Sequence, residues 1–172
     1  SWDLGTGALD DGAGCGIVLG TADAIARGTR PARTVRVVLF AAEESSGAGS
    51  EAYAKAHAAE VERHVLALEA DTGTGAAWAV RFTGEAEHAR TFFQVEPLVR
   101  PFGVVIESEP AFGGSDIGPL RALGVPIADV RQDMTRYFDV HHTANDTVAE
   151  LDPRALAQVT SVFAAVTRFA AD

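Results

Sequence analysis

The sequence holds a single cysteine, Cys15, and one methionine, so no internal disulfide can form. Its setting, Gly14-Cys15-Gly16, reads as a small buried residue at a close helix–sheet approach rather than as a ligand or nucleophile. Positive charge is scarce as well, with 14 Lys and Arg against 24 Asp and Glu and a formal charge of −10. That balance excludes a nucleic-acid surface, because phosphate recognition needs clustered cations. No apolar run approaches the roughly 20 residues of a membrane-spanning helix, so no membrane partner is expected. There is no internal repeat and no low-complexity linker. The opening, Ser1-Trp2-Asp3, carries neither Met nor a charged-then-apolar leader and reads as the interior of a domain. What is present is ordinary for a folded domain: 172 residues, 47% apolar and 22% charged.

Alternating strand and helix signals predict an α/β fold with a largely parallel sheet covered on both faces. Residues 11–27 form a helix signal, with Asp11 as its cap and Ile17, Val18, Ala24 and Ile25 on one face. The run from Val35 to Ala42 reads as a buried strand leading into Glu43-Glu44. After a turn at Ser45-Ser46-Gly47, a helix is expected over 48–61 and a short strand over 65–70, ending at Asp71. Thr72-Gly73-Thr74-Gly75 reads as a loop, 76–82 as a strand and 84–99 as a helix shortened by Pro97. Short strands follow at 102–106 and 125–128, and between them Gly113-Gly114-Ser115-Asp116 caps a brief helix at 119–123. The last helix is the clearest, with Asp152 as cap, Pro153 in its first turn and Leu156, Val159, Phe163, Val166 and Ala170 at helical spacing.

Chemistry-bearing residues gather where these elements end. Asp10, the pair Glu43-Glu44, Asp71 and the pair His141-His142 each fall at a strand end or adjoining loop, the place where open α/β sheets put their sites. Adjacent side chains near a strand end diverge, so one glutamate can bind a metal while its neighbour faces a water. A carboxylate offers two oxygens and can bridge two cations, and carboxylate with imidazole is a donor set for zinc. Taken singly, each piece also fits a turn, a cap or a solvated face. The ordered set Asp, Glu-Glu, Asp, His points to metal-dependent hydrolysis.

The wording of these segments resembles the zinc peptidase family of dimetal aminopeptidases, dipeptidases and glutamate carboxypeptidases. The likeness is strongest to its plasma glutamate carboxypeptidase branch. It rests on Ser1-Trp2-Asp3 with Gly7-Ala8-Leu9-Asp10-Asp11-Gly12, on 33–44 ending in Glu43-Glu44, and on Glu69-Ala70-Asp71-Thr72-Gly73. Gly114-Ser115-Asp116 and Tyr137-Phe138 with His141-His142-Thr143 and Asp146-Thr147 complete it. The resemblance implies a three-layer αβα zinc-peptidase fold and two zinc ions in the intact family site. It makes Asp10 the bridging ligand followed by a cis peptide, Glu43 the general base, Glu44 and His142 ligands of one metal, and Asp71 a ligand of the other. Tyr137, His141 and Asp11 fall behind them, Tyr137 as a candidate oxyanion donor or a rim aromatic.

In that family a His-x-Asp motif precedes the Ser-Trp-Asp segment, and its histidine binds the first metal. Residues 1–172 are therefore expected to be the C-terminal part of a single catalytic domain whose first strands are missing. One metal site (Asp10, Glu44, His142) would be complete and hold one zinc, and the other would be weakened. His57, His64 and His88 read as solvent-facing helix residues, not substitutes. The implied activity is a zinc exopeptidase acting on small peptides, with self-association or pairing with the missing segment along an open sheet edge. Relatives are often secreted or periplasmic. Two other readings stay open: a single-zinc glutaminyl-cyclase-like enzyme using Asp10, Glu44 and His142, and a non-catalytic peptidase-like interaction domain.

Overall fold

The computed structural model describes residues 4–73 and 75–172, so Ser1-Trp2-Asp3 and Thr74 lie outside the described residues. Its strands are β1 (Ala67–Leu68), β2 (Ala77–Thr83), β3 (Val105–Ile106) and β4 (Ile127–Gln132). They form one sheet in the order β1-β4-β2-β3, with β1·β4 and β2·β3 parallel and β2·β4 antiparallel. Strand side chains alternate between faces, and β4 uses this to serve two layers. Ala128 and Val130 enter the main core, whereas Ile127 packs on the opposite side with Ala111 and Ile117. A register shift between Ala77 and Ala79 breaks the alternation in β2, which lets Ala77 join Val80 in the main core.

Helix α1 (Ala13–Arg27) and the terminal helix α8 (Pro153–Ala171) supply one layer, packed against each other, with α8 lying on β2 and β4. In α8, Val159, Val162, Phe163 and Val166 are buried, and Asp152 Oδ1 accepts the Arg154 N–H at 2.8 Å as the expected cap. In α1 the buried face is Ala13, Gly14, Ile17, Thr21 and Ile25, with Thr21 in place of the expected Ala24, which is exposed. Across the sheet, α3 (Ala48–Ala56) meets α6 (Gly118–Ala122) around Ala54, Leu120 and Val125. The expected three-layer α/β arrangement is thus present. Among the described residues no helix is long and apolar enough to cross a membrane.

The clearest departure is at 34–41, where no strand forms and no residue is buried. A cavity of about 580 Å³ separates this segment from 64–68, and Val35, Val37, Phe40, Leu66 and Leu68 line it from both sides. With their side chains spread across a gap, the two backbones cannot approach to the roughly 4.8 Å of a ladder. Arg33 N–H instead reaches the Ala171 carbonyl at 2.8 Å. Strand β1 correspondingly shrinks to a two-residue pairing.

Elsewhere the boundaries moved for local reasons. The helix expected over 84–99 breaks into α4 (Ala86–Phe92) and α5 (Glu96–Val99), with Pro97 in the first turn of the second, where its missing N–H costs nothing. The helix expected over 48–61 stops at Ala56, and Ala58–Arg63 continues as a tighter 3-10 turn. The strand expected at 102–106 keeps only its last two residues, because Arg100-Pro101-Phe102 makes a turn closed by Gly103 at φ 79°. Strand β4, by contrast, runs four residues past the apolar stretch. Its polar residues Asp129 and Arg131 fall on the face opposite the main core.

Gly14 bears out a close approach in α1: a Cβ there would overlap the Ala70 carbonyl and the Asp11 carboxylate. Gly16, its neighbour across Cys15, meets nothing within 4 Å. The expectation of tight packing holds for the first glycine and fails for the second, and Cys15 itself is only half-buried. Gly14→Ala is therefore expected to destabilise by roughly 2–3 kcal/mol through overpacking against backbone. Gly16→Ala should stabilise by about 0.5–1 kcal/mol through helix propensity. Urea midpoints of the two variants check this, and equal shifts would contradict it.

Candidate metal centre

Four separate stretches converge on one cleft of about 510 Å³ lined by Asp10, Glu43, Glu44, Asp71 and Asp116. Asp10 comes from an irregular turn, Ala8–Gly12, where it takes non-helical angles (φ −123°, ψ 93°). The Asp10–Asp11 peptide is cis, as the resemblance implied. Glu43 and Glu44 open a single helical turn, α2 (Glu43–Ser46), entered through Ala42 in the left-handed region at φ 63°. Asp71 follows β1 in the chain. His141 and His142 follow α7 (Tyr137–Val140), with His142 held at φ 58°.

Four of these side chains meet directly. His142 Nε2 lies 2.9 Å from Glu44 Oε2 and 3.1 Å from Asp10 Oδ2, while His141 Nε2 lies 3.5 Å from the same Asp10 oxygen. Asp10 Oδ2 is buried and has no hydrogen-bond donor placed on it. One ligand atom from each of Asp10, His141 and His142 falls within 4.8 Å of the others. An oxygen-and-imidazole set converging on a buried, unsatisfied carboxylate oxygen fits zinc. The rings form a ladder: Tyr137 stacks on His141 at 4.4 Å, and His141 stacks on His142 at 3.7 Å. His141, expected to sit behind His142, thus reaches Asp10 as well and also wedges His142 against its aromatic neighbour.

The electrostatics are those of a cleft short of positive charge. Burial, then the charge of Asp71, pushes Asp11 up to about 8. Burial, then Asp10 and Glu43, pushes Asp71 up to about 7. Glu69 rises to about 7 by burial, with Asp116 and Asp71 adding to it. Asp10 and Asp116 are raised too, each by burial first and then by a glutamate, Glu44 for the one and Glu43 for the other. Tyr137 is pushed far above its ordinary value by burial and by Asp71, so its phenol stays a neutral donor. A divalent cation bound among them would act in the opposite sense and favour the ionised forms.

Asp11 lines the same cleft. Gly12, not Asp11, takes the cap position of α1, but Asp11 Oδ1 still accepts the Gly14 N–H at 3.1 Å in its first turn, and Cys15 Sγ lies 3.9 Å from the other oxygen. Asp116 caps no helix: α6 starts after Ile117 without a side-chain cap. The loop is held instead by Glu69, which accepts the N–H groups of Ser115 (3.0 Å) and Ile117 (2.8 Å). Asp129 also accepts from Phe112 (2.7 Å) and Gly113 (2.8 Å). Gly114, at φ 86°, lets the backbone press onto the Glu69 carboxylate. His57 and His64 are half-buried, not solvent-facing. They pack on Tyr53 away from the cleft, and His57 also meets Glu60 at 3.2 Å. His88 is exposed, as expected.

Sequence reasoning gave Glu69, Asp129 and Asp146 no role. Asp146 is fully buried, and its two oxygens accept the Leu9 N–H at 2.6 Å and the Asp10 N–H at 3.1 Å. In the sequence it stands only as part of the Asp146-Thr147 words of the family resemblance, a polar pair in a turn-like stretch with no role attached.

Comparison with known proteins agrees with this geometry. A family model described as peptidase family M28 matches residues 1–167. The chain is 36% identical over 173 aligned residues to carboxypeptidase Q of Rattus norvegicus, covering all of this chain and 36% of that protein. It is 34% identical to carboxypeptidase Q of Homo sapiens, again over its whole length and 36% of the relative. The chain thus spans about a third of the curated relatives it matches. Among solved structures, a peptidase M28 precursor from Shewanella amazonensis superposes with a TM-score of 0.96 at 43% identity, covering 100% of this chain and 39% of that one. An aminopeptidase from Aneurinibacillus sp. strain AM-1 shares the fold, with a TM-score of 0.70 at 22% identity over 96% of this chain and 40% of that one. With residues 1–167 matched to its model, the chain is a member of peptidase family M28.

Proposed function

We propose that this chain carries the metal-binding and proton-transfer groups of a zinc exopeptidase acting on small peptides. The observation that carries the reading is the meeting of Glu44 and His142 at 2.9 Å, with Asp10 Oδ2 3.1 Å from the same imidazole nitrogen. These three would hold one zinc, and Asp10 with Asp71 would contribute to a second, weaker site. Zinc, when bound, polarises the scissile carbonyl and lowers the pKa of the attacking water. Glu43, beside Glu44 at the cleft wall, takes the proton from that water and passes it to the leaving amine. Tyr137, a neutral donor, would hydrogen-bond the developing oxyanion, and His141 fixes the ring plane of His142 by stacking.

A single-zinc cyclase would need only Asp10, Glu44 and His142. Asp71 lining the same cleft supplies a carboxylate for a second ion and favours hydrolysis. The acidic exterior disfavours nucleic acid as a partner, and the unladdered segment 34–41 is where self-association or pairing with a further polypeptide segment would occur.

The test is zinc content by elemental analysis after loading and desalting, on the wild-type chain and on His142→Ala. About one zinc per chain is expected in the wild type, since three protein ligands suffice for a stable site, with loss in the variant. No zinc in the wild type defeats the reading. Zinc retained by His142→Ala would move the ligand role to His141.

A further inference from the structure

The geometry points to Asp146 as the residue that sets the distance between the two halves of the metal centre, a role that rests on the zinc reading above. Asp10 and His142 are far apart in sequence, and nothing in the local chain fixes one against the other. Asp146 does so from within the interior, with none of its surface exposed. One carboxylate oxygen accepts the Leu9 N–H at 2.6 Å and the other accepts the Asp10 N–H at 3.1 Å. Its backbone carbonyl takes Thr6 from two sides, N–H at 2.7 Å and Oγ1 at 3.0 Å. A Cβ on Gly5 would lie 2.7 Å from the Thr143 carbonyl and 2.9 Å from Asp146 Cβ, so the segment leading to Asp10 runs flush against this loop.

On the other side, Asp146 is tied to His142 through a short, fully bonded turn. Asp146 N–H donates to the Thr143 carbonyl at 3.1 Å, and Thr143 N–H and Oγ1 both donate to the Val140 carbonyl, at 3.1 and 2.7 Å. His142 lies inside that turn. The path from ligand to ligand is therefore Asp10 backbone, Asp146, Thr143 turn, His142, hydrogen-bonded at each join.

The choice of a carboxylate follows from donor and acceptor counting. Two converging N–H groups need two acceptors on one side chain, and an ionised Asp is acceptor-only. An asparagine of the same shape would turn one N–H₂ toward an N–H donor. Burying a carboxylate is costly, and two charge-assisted bonds from backbone N–H groups offset that cost. A residue needed only to fill space would not be charged.

The experiment is a Co²⁺ titration followed by visible absorption, on the wild type, on Asp146→Asn and on Asp146→Glu, with the melting temperature of each metal-free chain measured alongside. Wild-type chain is expected to bind Co²⁺ and give d–d bands. Asp146→Asn should bind on the order of ten- to a hundredfold more weakly, beyond any change in metal-free stability. Asp146→Glu keeps charge and both acceptors but lengthens the arm, so its bands should shift in position or intensity. This variant decides the matter if Asp146→Asn does not fold. Folded variants with the wild-type Kd and wild-type bands would overturn the role. A wild-type chain that takes up no Co²⁺ would overturn the zinc reading itself, a result distinct from the first.

Discussion

Glu43→Gln should lower peptide turnover by roughly 10²–10⁴-fold while leaving zinc content unchanged. The substitution keeps the shape and removes only the ability to accept and return a proton. Glu43 is the cleft carboxylate with no assigned ligand role beside Glu44, whose Oε2 is already committed to His142 at 2.9 Å. The measurement is hydrolysis of an unblocked dipeptide by a zinc-loaded preparation that shows wild-type activity, with elemental analysis on the same samples. Full activity in Glu43→Gln would remove it as the base. A loss of zinc in parallel with activity would recast it as a ligand. Comparing Glu44→Gln sharpens the contrast: there both zinc and turnover are expected to fall, since its oxygen faces the imidazole directly. The split between neighbouring residues is a consequence of α2 starting at Glu43, where the single turn sends successive side chains in different directions.

The candidate site was largely legible in the sequence because ligand chemistry leaves short, ordered words. Asp10, Glu44 and His142 do meet, and Glu43, Asp71 and Asp116 line the same cleft. What the words could not convey is how the ligand segments are held. Glu69, Asp129 and Asp146 act by accepting backbone N–H groups from distant loops, and backbone partners carry no side-chain signature. Their burial shows only after folding, since an isolated Asp or Glu in a polar stretch is by default a surface residue. The fold shows the same asymmetry. Helix α8 was readable from its cap and apolar spacing alone, both local features. The run at 34–41 has every local mark of a strand yet makes no ladder, because a strand is defined by a partner at pairing distance and here a cavity intervenes. Strand β4 failed in the opposite direction: Asp129 and Arg131 look wrong for a strand until the sheet gives them a face away from the main core.

Metal-free chain should lose stability as pH rises from about 5 to 8, and zinc should abolish that loss. The three groups behind this are Asp11, raised to about 8, and Asp71 and Glu69, each raised to about 7. Their folded-state values lie above the ordinary carboxylate range of roughly 4, so the folded chain binds protons more tightly than the unfolded chain across that interval. Stability from these groups is fully present below about pH 4 and drains away as pH climbs through 7 and 8. The surface residues Glu60 and Asp133 are lowered and work in the other direction, but both are solvated and screened. Because Asp11, Asp71 and Glu69 face one another, their effects do not add. A net loss on the order of 2 kcal/mol is expected, or roughly 4–8 °C in Tm for a chain of this size. A bound cation stabilises the ionised forms, displaces the protons and binds more tightly as pH rises. The gap between zinc-loaded and chelator-treated melting temperatures should therefore be small at pH 5 and widest at pH 8. A metal-free Tm that climbs steadily from pH 5 to 8, with a constant zinc increment, would mean that these carboxylates are already ionised in the folded chain and that the cleft does not depend on a cation for its charge balance.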